Sequence, residues 1–239
     1  MTARQQIDIR LTGTVLALEQ AQLIGHGVEA YALQLLAQVE DVADLPWPGC
    51  RSPEIPFELE GAGVRLWLED MQCRFNLNSL TPENKQALQD FEALVAAINA
   101  SGEGGLIDAA LIGRSVQDWL DPDTDDAGYL ANDPPYLSAN QPMRDASELR
   151  LVSGVDQAVW QRLAPHVVAL PAPTELRLLG APEVIRQAFG EPIEGDQRAS
   201  RFYRLAVEVR LGRHRALQCS LLDVTERRVV LRELAACGP

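Results

Sequence analysis

The chain has 239 residues, 46% of them hydrophobic, with a formal net charge of -13 and a pI near 4.7. That length and apolar content supply the core of one large or two modest globular domains. The acidity excludes nucleic acid and anionic membrane surfaces as natural partners, since both are held through clustered Lys and Arg.

Residues 3 to 40 read as one long helix. Ile9, Val15, Leu16, Leu23, Tyr31, Leu33, Leu35 and Leu36 recur at helical spacing with no Pro among them. The opening MTARQQIDIR has neither the apolar core nor the cleavage site of a signal peptide. No apolar run reaches the roughly 18 residues that a membrane span requires. Pro46, Pro48, Pro53 and Pro56 then break the chain ahead of FELEGAGVRLWLEDMQCRFNL, whose alternation predicts a half-buried hairpin. The strands are expected at Pro56 to Glu60 and Val64 to Glu69, turning through Gly61, Ala62 and Gly63, so that paired residue numbers sum to about 123.

The four cysteines are Cys50, Cys73, Cys219 and Cys237, with no C-x-x-C pair and only three His, which argues against zinc. The hairpin register sets Cys50 opposite Cys73, and elimination leaves Cys219 for Cys237. Two disulfides imply an oxidising compartment; four reduced, buried thiols are the alternative for a cytosolic protein.

From Thr81 to Phe189 the pattern becomes helical. Thr81 is the expected N-cap of PENKQALQDFEALVAAINA, with Pro82 at the first helical position, and Leu106 to Leu120 predicts a second helix. Shorter helices are expected at Ser147 to Leu151, Asp156 to Leu163 and Pro182 to Phe189, with caps at Ser147 and Asp156. The last forty residues return to strands at Phe202 to Leu211, Arg215 to Val224 and Arg227 to Leu234. Strands on both flanks and helices between them predict an α+β fold: residues 1–80 and 198–239 form a helix-plus-sheet domain, and residues 81–197 form an inserted all-α domain. Three short strands bury more surface by joining the earlier hairpin than by standing alone.

The stretch richest in chemistry is DWLDPDTDDAGYLANDPPYLSANQPM, residues 118–143. It collects Asp118, Asp121, Asp123, Asp125, Asp126 and Asp133 with Asn132 and Asn140. Such a cluster is either a solvated acidic turn or a calcium site, because hard oxygen ligands suit calcium better than zinc or copper. The start imitates an EF-hand loop, but Asp126 stands where the turn needs Gly and Asn132 where a bidentate Glu belongs. As ligands we single out Asp121, Asp123, Asp125, Asp126, Asn132 and Asp133. Leu149 to Val167 resembles half of a helix-hairpin-helix, which the neighbouring acidic loop makes a packing element rather than a DNA site. Gly113-Arg114-Ser115-Val116-Gln117 lacks the last Gly of a nucleophile elbow, and no phosphate loop or dinucleotide fingerprint occurs.

Three strings together resemble one known family. RFNLNSL at residues 74–80, QDWLDPD at 117–123 and YLANDPPYLSANQPMRDASELRLVSGVD at 129–156 are similar to the K-type minor pseudopilins of bacterial type II secretion systems, the GspK family. The resemblance implies a pilin-like fold, a long N-terminal helix on an antiparallel sheet, interrupted by a large α-domain. It implies an inner-membrane subunit with its bulk in the periplasm, of which this chain is the periplasmic part and the missing N-terminal helix the anchor. It further implies a structural protein at the pseudopilus tip, partnered by the I- and J-type minor pseudopilins, and calcium in its loops. A periplasmic calcium-dependent hydrolase is the alternative from another class, its metal in the same acidic loop.

Overall fold

The computed structural model describes residues 3–40, 45–47, 49–102, 104–122, 127–131, 133–192, 198–234 and 237. It divides the chain into two compact units, Met1–Met71 with Gln197–Gly238, and Gln72–Asp196. The expected mixture of helices and antiparallel sheet is what the structure has. Residues 72–80, read from sequence with the first strands, belong by packing to the second unit.

The first unit begins with α1 (Ala3–Leu36), four residues shorter than its periodicity suggested; the backbone passes into a turn after Leu36. Two strands follow, β1 (Ile55–Leu59) and β2 (Ala62–Asp70), and three more close the unit: β5 (Phe202–Leu211), β6 (His214–Asp223) and β7 (Arg228–Glu233). They form one antiparallel sheet in the order β1-β2-β5-β6-β7. β2 and β5 pair from Gly63 with Arg210 to Asp70 with Tyr203, so the early hairpin and the closing meander are one sheet.

The hairpin register differs from the sequence expectation. Leu59 pairs with Ala62 and Ile55 with Leu66, two positions away from a turn through Gly61, Ala62 and Gly63. The reason is local: Glu60 (φ 52) and Gly61 (φ 77) both take the left-handed conformation, which makes the tight two-residue turn that suits strand twist. Glu60 is an unusual residue there, so the Gly-Ala-Gly run masked the shorter loop. Cys219 is joined to Cys237, with Cα atoms 5.4 Å apart across a sequence separation of 18. Closing a loop of that size stabilises by about 3 kcal/mol in the chain-entropy account. Cys50 and Cys73 are disulfide-bonded as well.

Only the second half of α1 lies on the sheet. Ala21, Ile24, Val28, Ala32 and Leu36 are buried. Gly25 is the close-approach point: a Cβ there would stand 2.9 Å from Gln218 Oε1 on β6. One helical turn later comes Glu29, 4% exposed. Its carboxylate accepts hydrogen bonds from Arg232 Nη2 (2.5 Å), Arg232 Nε (3.0 Å), Ser220 Oγ (2.6 Å) and Gln218 Nε2 (2.8 Å). A buried carboxylate needs such partners, and here they come from β6 and β7 at once.

Alternation then assigns the other face of the strands to charge. Glu208, also buried, meets Arg65 (2.7 Å), Arg210 (2.7 Å) and Arg215. Arg204 meets Glu69 at 2.5 Å. At the end of β6, Asp223 accepts from Arg201 Nε (2.9 Å) and Nη2 (2.7 Å) and from the Glu226 N–H (3.1 Å).

The second unit contains α2 (Lys85–Ala100), α3 (Ala109–Leu120), α4 (Ala127–Leu130), α5 (Gln157–Leu163) and α6 (Glu183–Phe189). It is not purely helical: β3 (Phe75–Asn76) and β4 (Val167–Val168) pair in parallel, Phe75 with Val167 and Asn76 with Val168. Two residues per strand are too few to show period-two alternation, so no sequence pattern marks them. Several caps also differ from expectation. Asn84, not Thr81, caps α2 through the Ala87 N–H, and Asp108 caps α3 through the Leu111 N–H. The turn at residues 146–151 is a 3-10 helix capped by Asp145 rather than Ser147, in a capping box with Glu148, while Asp156 caps α5 as read.

The unit is tied together by two asparagines of RFNLNSL. Asn76 Oδ1 accepts from the Leu170 N–H (2.9 Å) and the Asn78 N–H (3.2 Å), and its Nδ2 donates to the Ala172 carbonyl (3.1 Å). Asn78 donates to the carbonyls of Met143 (2.9 Å) and Leu170 (3.0 Å) and accepts from the Met143 N–H (2.8 Å). Each amide thus satisfies the backbone of segments about 65 to 95 residues away that have no ladder of their own.

Two outcomes follow. Burial pushes the carboxyls of Glu29, Glu208 and Asp223 up, but hydrogen bonds from arginine outweigh it and hold all three below the ordinary carboxylate range. Depressed folded values contribute stability that is complete above the unfolded pKa, about 4, and is lost as pH falls through the lowered values. Urea unfolding at a series of pH values should therefore show stability falling only below that point, and Glu29→Gln should make the fall shallower while lowering neutral-pH stability by about 2 kcal/mol. Asn78→Ala, which orphans three backbone groups, should destabilise by about 2 to 4 kcal/mol in the same assay; hydrogen exchange should place the loss at the Met143 amide, whose N–H Asn78 accepts.

Candidate functional site

Two regions bear on function, one in each unit. In the second, α3 leads to the acidic loop. Ile112, Val116, Trp119 and Leu120 bury one of its faces, and Gly113 lies against α2, where a Cβ would stand 2.5 Å from Leu88 Cδ1. The helix stops at Asp121, whose backbone is extended (φ -65, ψ 127) and whose N–H closes the last turn on the Gln117 carbonyl.

Aromatic side chains fix the chain on either side of the loop. Trp119 meets Tyr129 edge-on at 5.4 Å and Tyr129 meets Tyr136 at 5.5 Å. Tyr129 Oη donates to the Ser115 carbonyl (3.1 Å), and Tyr136 Oη to that of Leu151 (2.7 Å). The Asn140 N–H donates to the Trp119 carbonyl at 3.0 Å. Trp119 thus pins the helix to the loop together with two tyrosines, Tyr129 and Tyr136, that sequence reasoning left out. Their signal was present as aromatics bracketing the acids.

Of the six residues singled out as calcium ligands, Asp121 is half-buried at the end of α3 and Asp133 is exposed before a cis bond to Pro134. Asp123, Asp125, Asp126 and Asn132 lie outside the described residues. Among the described residues no three His, Cys, Asp or Glu side chains converge. The glycine of the helix-hairpin-helix resemblance, Gly154 (φ 87), packs on α3: a Cβ there would lie 3.2 Å from Leu111 Cδ2.

In the first unit the notable surface is α1. Ile7, Leu11 and Leu18 are exposed, yet each stands 18 residues before a buried position, Gly25, Glu29 and Leu36 respectively. Eighteen residues are five helical turns of 3.6, so these are one continuous face. The sheet covers its second half, and nothing within the described residues of this unit covers the first. No helix among the described residues is long and apolar enough to cross a membrane.

Comparison with known proteins converges on one group. The family model for type II secretion system (T2SS), protein K, matches residues 73–172, which include all three strings quoted above. The type II secretion system protein K of Aeromonas hydrophila is 31% identical over 196 residues, covering 72% of this chain and 58% of that protein. The Pseudomonas aeruginosa protein of the same name is 32% identical over 197 residues, covering 73% and 57%. The chain therefore spans less than three-fifths of the length of these relatives. Among solved structures, the crystal structure of the GspK-GspI-GspJ complex from the enterotoxigenic Escherichia coli type 2 secretion system matches with a TM-score of 0.74 at 22% identity. The match covers 98% of this chain and 100% of that one. A likeness at that identity concerns the fold, whereas the strings, their order and the identity to the relatives concern descent: the chain belongs to the type II secretion system protein K family.

Proposed function

We propose that this chain is the periplasmic part of a minor pseudopilin that stands at the tip of the type II secretion pseudopilus. There it joins the I- and J-type minor pseudopilins and supports export of proteins across the outer membrane. In this reading the first unit is a pilin-like scaffold and the second a predominantly helical domain inserted into it. The protein is held at the inner membrane through an N-terminal helix and acts as a structural component rather than as an enzyme.

The observation that carries the reading is the pairing of β2 with β5. It makes the two flanks of the chain one helix-on-sheet body, and the same body, over 98% of this chain, recurs in a complex that contains GspI and GspJ. The exposed face at Ile7, Leu11 and Leu18 supports it too, because an amphipathic helix with half its face uncovered is suited to neighbouring helices. Two disulfides suit an oxidising periplasm. The hydrolase alternative finds no support in the relatives, which are named as parts of a secretion system. Mixing the chain with purified periplasmic I- and J-type subunits should give a complex of one each in analytical ultracentrifugation; three separate species would overturn the reading.

Calcium belongs to the same proposal. Asp121, Asp123, Asp125, Asp126, Asn132 and Asp133 supply only hard oxygen donors, and the aromatic cluster holds both ends of the loop in place. Bound calcium would neutralise carboxylates that otherwise repel one another. Saturating calcium should raise the melting temperature by binding the folded form, EGTA should reverse the gain, and Asp121→Asn with Asp123→Asn should abolish it. Melting curves unchanged by calcium or EGTA would leave the loop a solvated acidic turn.

A further inference from the structure

An apolar groove of about 530 Å³ opens in the first unit between the second half of α1 and the β1-β2 hairpin. Tyr31 and Leu35 form its helical wall, Phe57 and Leu66 its strand wall, and Trp47 and Leu68 lie deeper. Tyr31 is 62% exposed and Leu35 46%, so large apolar side chains that could have turned inward stand open at its mouth. This is a different surface from the face of Ile7, Leu11 and Leu18: in the helical projection Tyr31 and Leu35 flank the sheet-covered side.

The chemistry of the groove restricts its occupant. A strand or loop laid into an apolar lining would leave its backbone N–H and C=O groups without partners, whereas a helix satisfies its own. From Gly27 to Leu35 the groove follows α1 for about 12 Å, a little over two turns, which takes apolar side chains at i, i+4 and i+7. Charge narrows the choice further. Residues 27–60, the stretch that builds most of the groove, contain seven carboxylates and one arginine. They repel an acidic helix, and two copies of a chain of net charge -13 repel each other as bodies.

We infer that this groove seats the apolar face of an amphipathic helix, neutral to basic at its flanks, from another minor pseudopilin of the tip. The inference rests on the functional reading above and names the surface through which it works. Large apolar side chains at the centre of such a contact carry most of its energy.

The test uses the whole chain with the periplasmic I- and J-type subunits, their helices included. Tyr31→Glu with Leu35→Glu changes exposed positions, and an unchanged melting curve would show that the fold is kept. Affinity for the I-J pair should fall at least about tenfold, while a control pair outside the groove lining, Arg213→Glu in the β5–β6 turn with Arg227→Glu in the β6–β7 turn, should lower it less. A photo-reactive phenylalanine at position 35 should cross-link to an apolar stripe on the helix of the I- or J-type subunit. Cross-links to a second copy of this chain or to a partner strand, or undiminished affinity of the Tyr31/Leu35 variant, would overturn the groove assignment and leave the tip reading standing. If the unaltered chain binds neither subunit, both fall.

Discussion

The antiparallel pairing of β2 with β5 is the constraint on which the fold depends. Its two strands come from opposite ends of the chain; Arg65 and Glu208, partners across it, are 143 residues apart in sequence. Bringing such distant segments together carries a loop-closure cost that grows only slowly with length, so a self-contained body of over a hundred residues fits between them. Eight residue pairs of ladder, with apolar side chains on one face and paired charges on the other, repay it. Without this pairing the hairpin and the meander would each be marginal.

On that sheet the helix is positioned by a small number of specific contacts. Gly25 allows close approach and Glu29 fixes register, because its carboxylate finds four hydrogen bonds only where β6 and β7 bring Gln218, Ser220 and Arg232 together. A slip of one helical turn would bury a charge with no partner. The helix is then rigidly aimed, while nothing among the described residues of this unit covers the apolar side chains of its first half.

The second unit solves a different problem. Its helices are short and its two-residue strands supply almost no ladder, so much of its irregular backbone must be satisfied by side chains. Asn76, Asn78, Asp145 and Asp156 do this. The strings by which the sequence resembles its family are in large part this scaffold. RFNLNSL joins distant segments, the ELR string closes a capping box, and QDWLDPD ends a helix against an aromatic cluster. They identify the family because they specify the unit, which is why they read as motifs without containing a nucleophile or a phosphate loop.

The sequence by itself determined the order of the longer elements, the helix-plus-sheet class, the bounds of β5, the cap at Asp156 and the cysteine pair 219 and 237. Each of these follows from local periodicity, from a short-range side-chain bond or from counting. Tertiary structure decided the rest. The hairpin register turned on Glu60 accepting a left-handed conformation, the β3-β4 pair on two residues too few to show alternation, and the partners of Glu29 on three strand residues some 190 to 200 positions away. The apolar groove was equally hidden, since Tyr31, Phe57 and Leu66 each look like ordinary core in their own segments. Only the angle between helix and hairpin leaves them facing one another across open space, and that angle is a property of packing, which no local stretch of sequence carries.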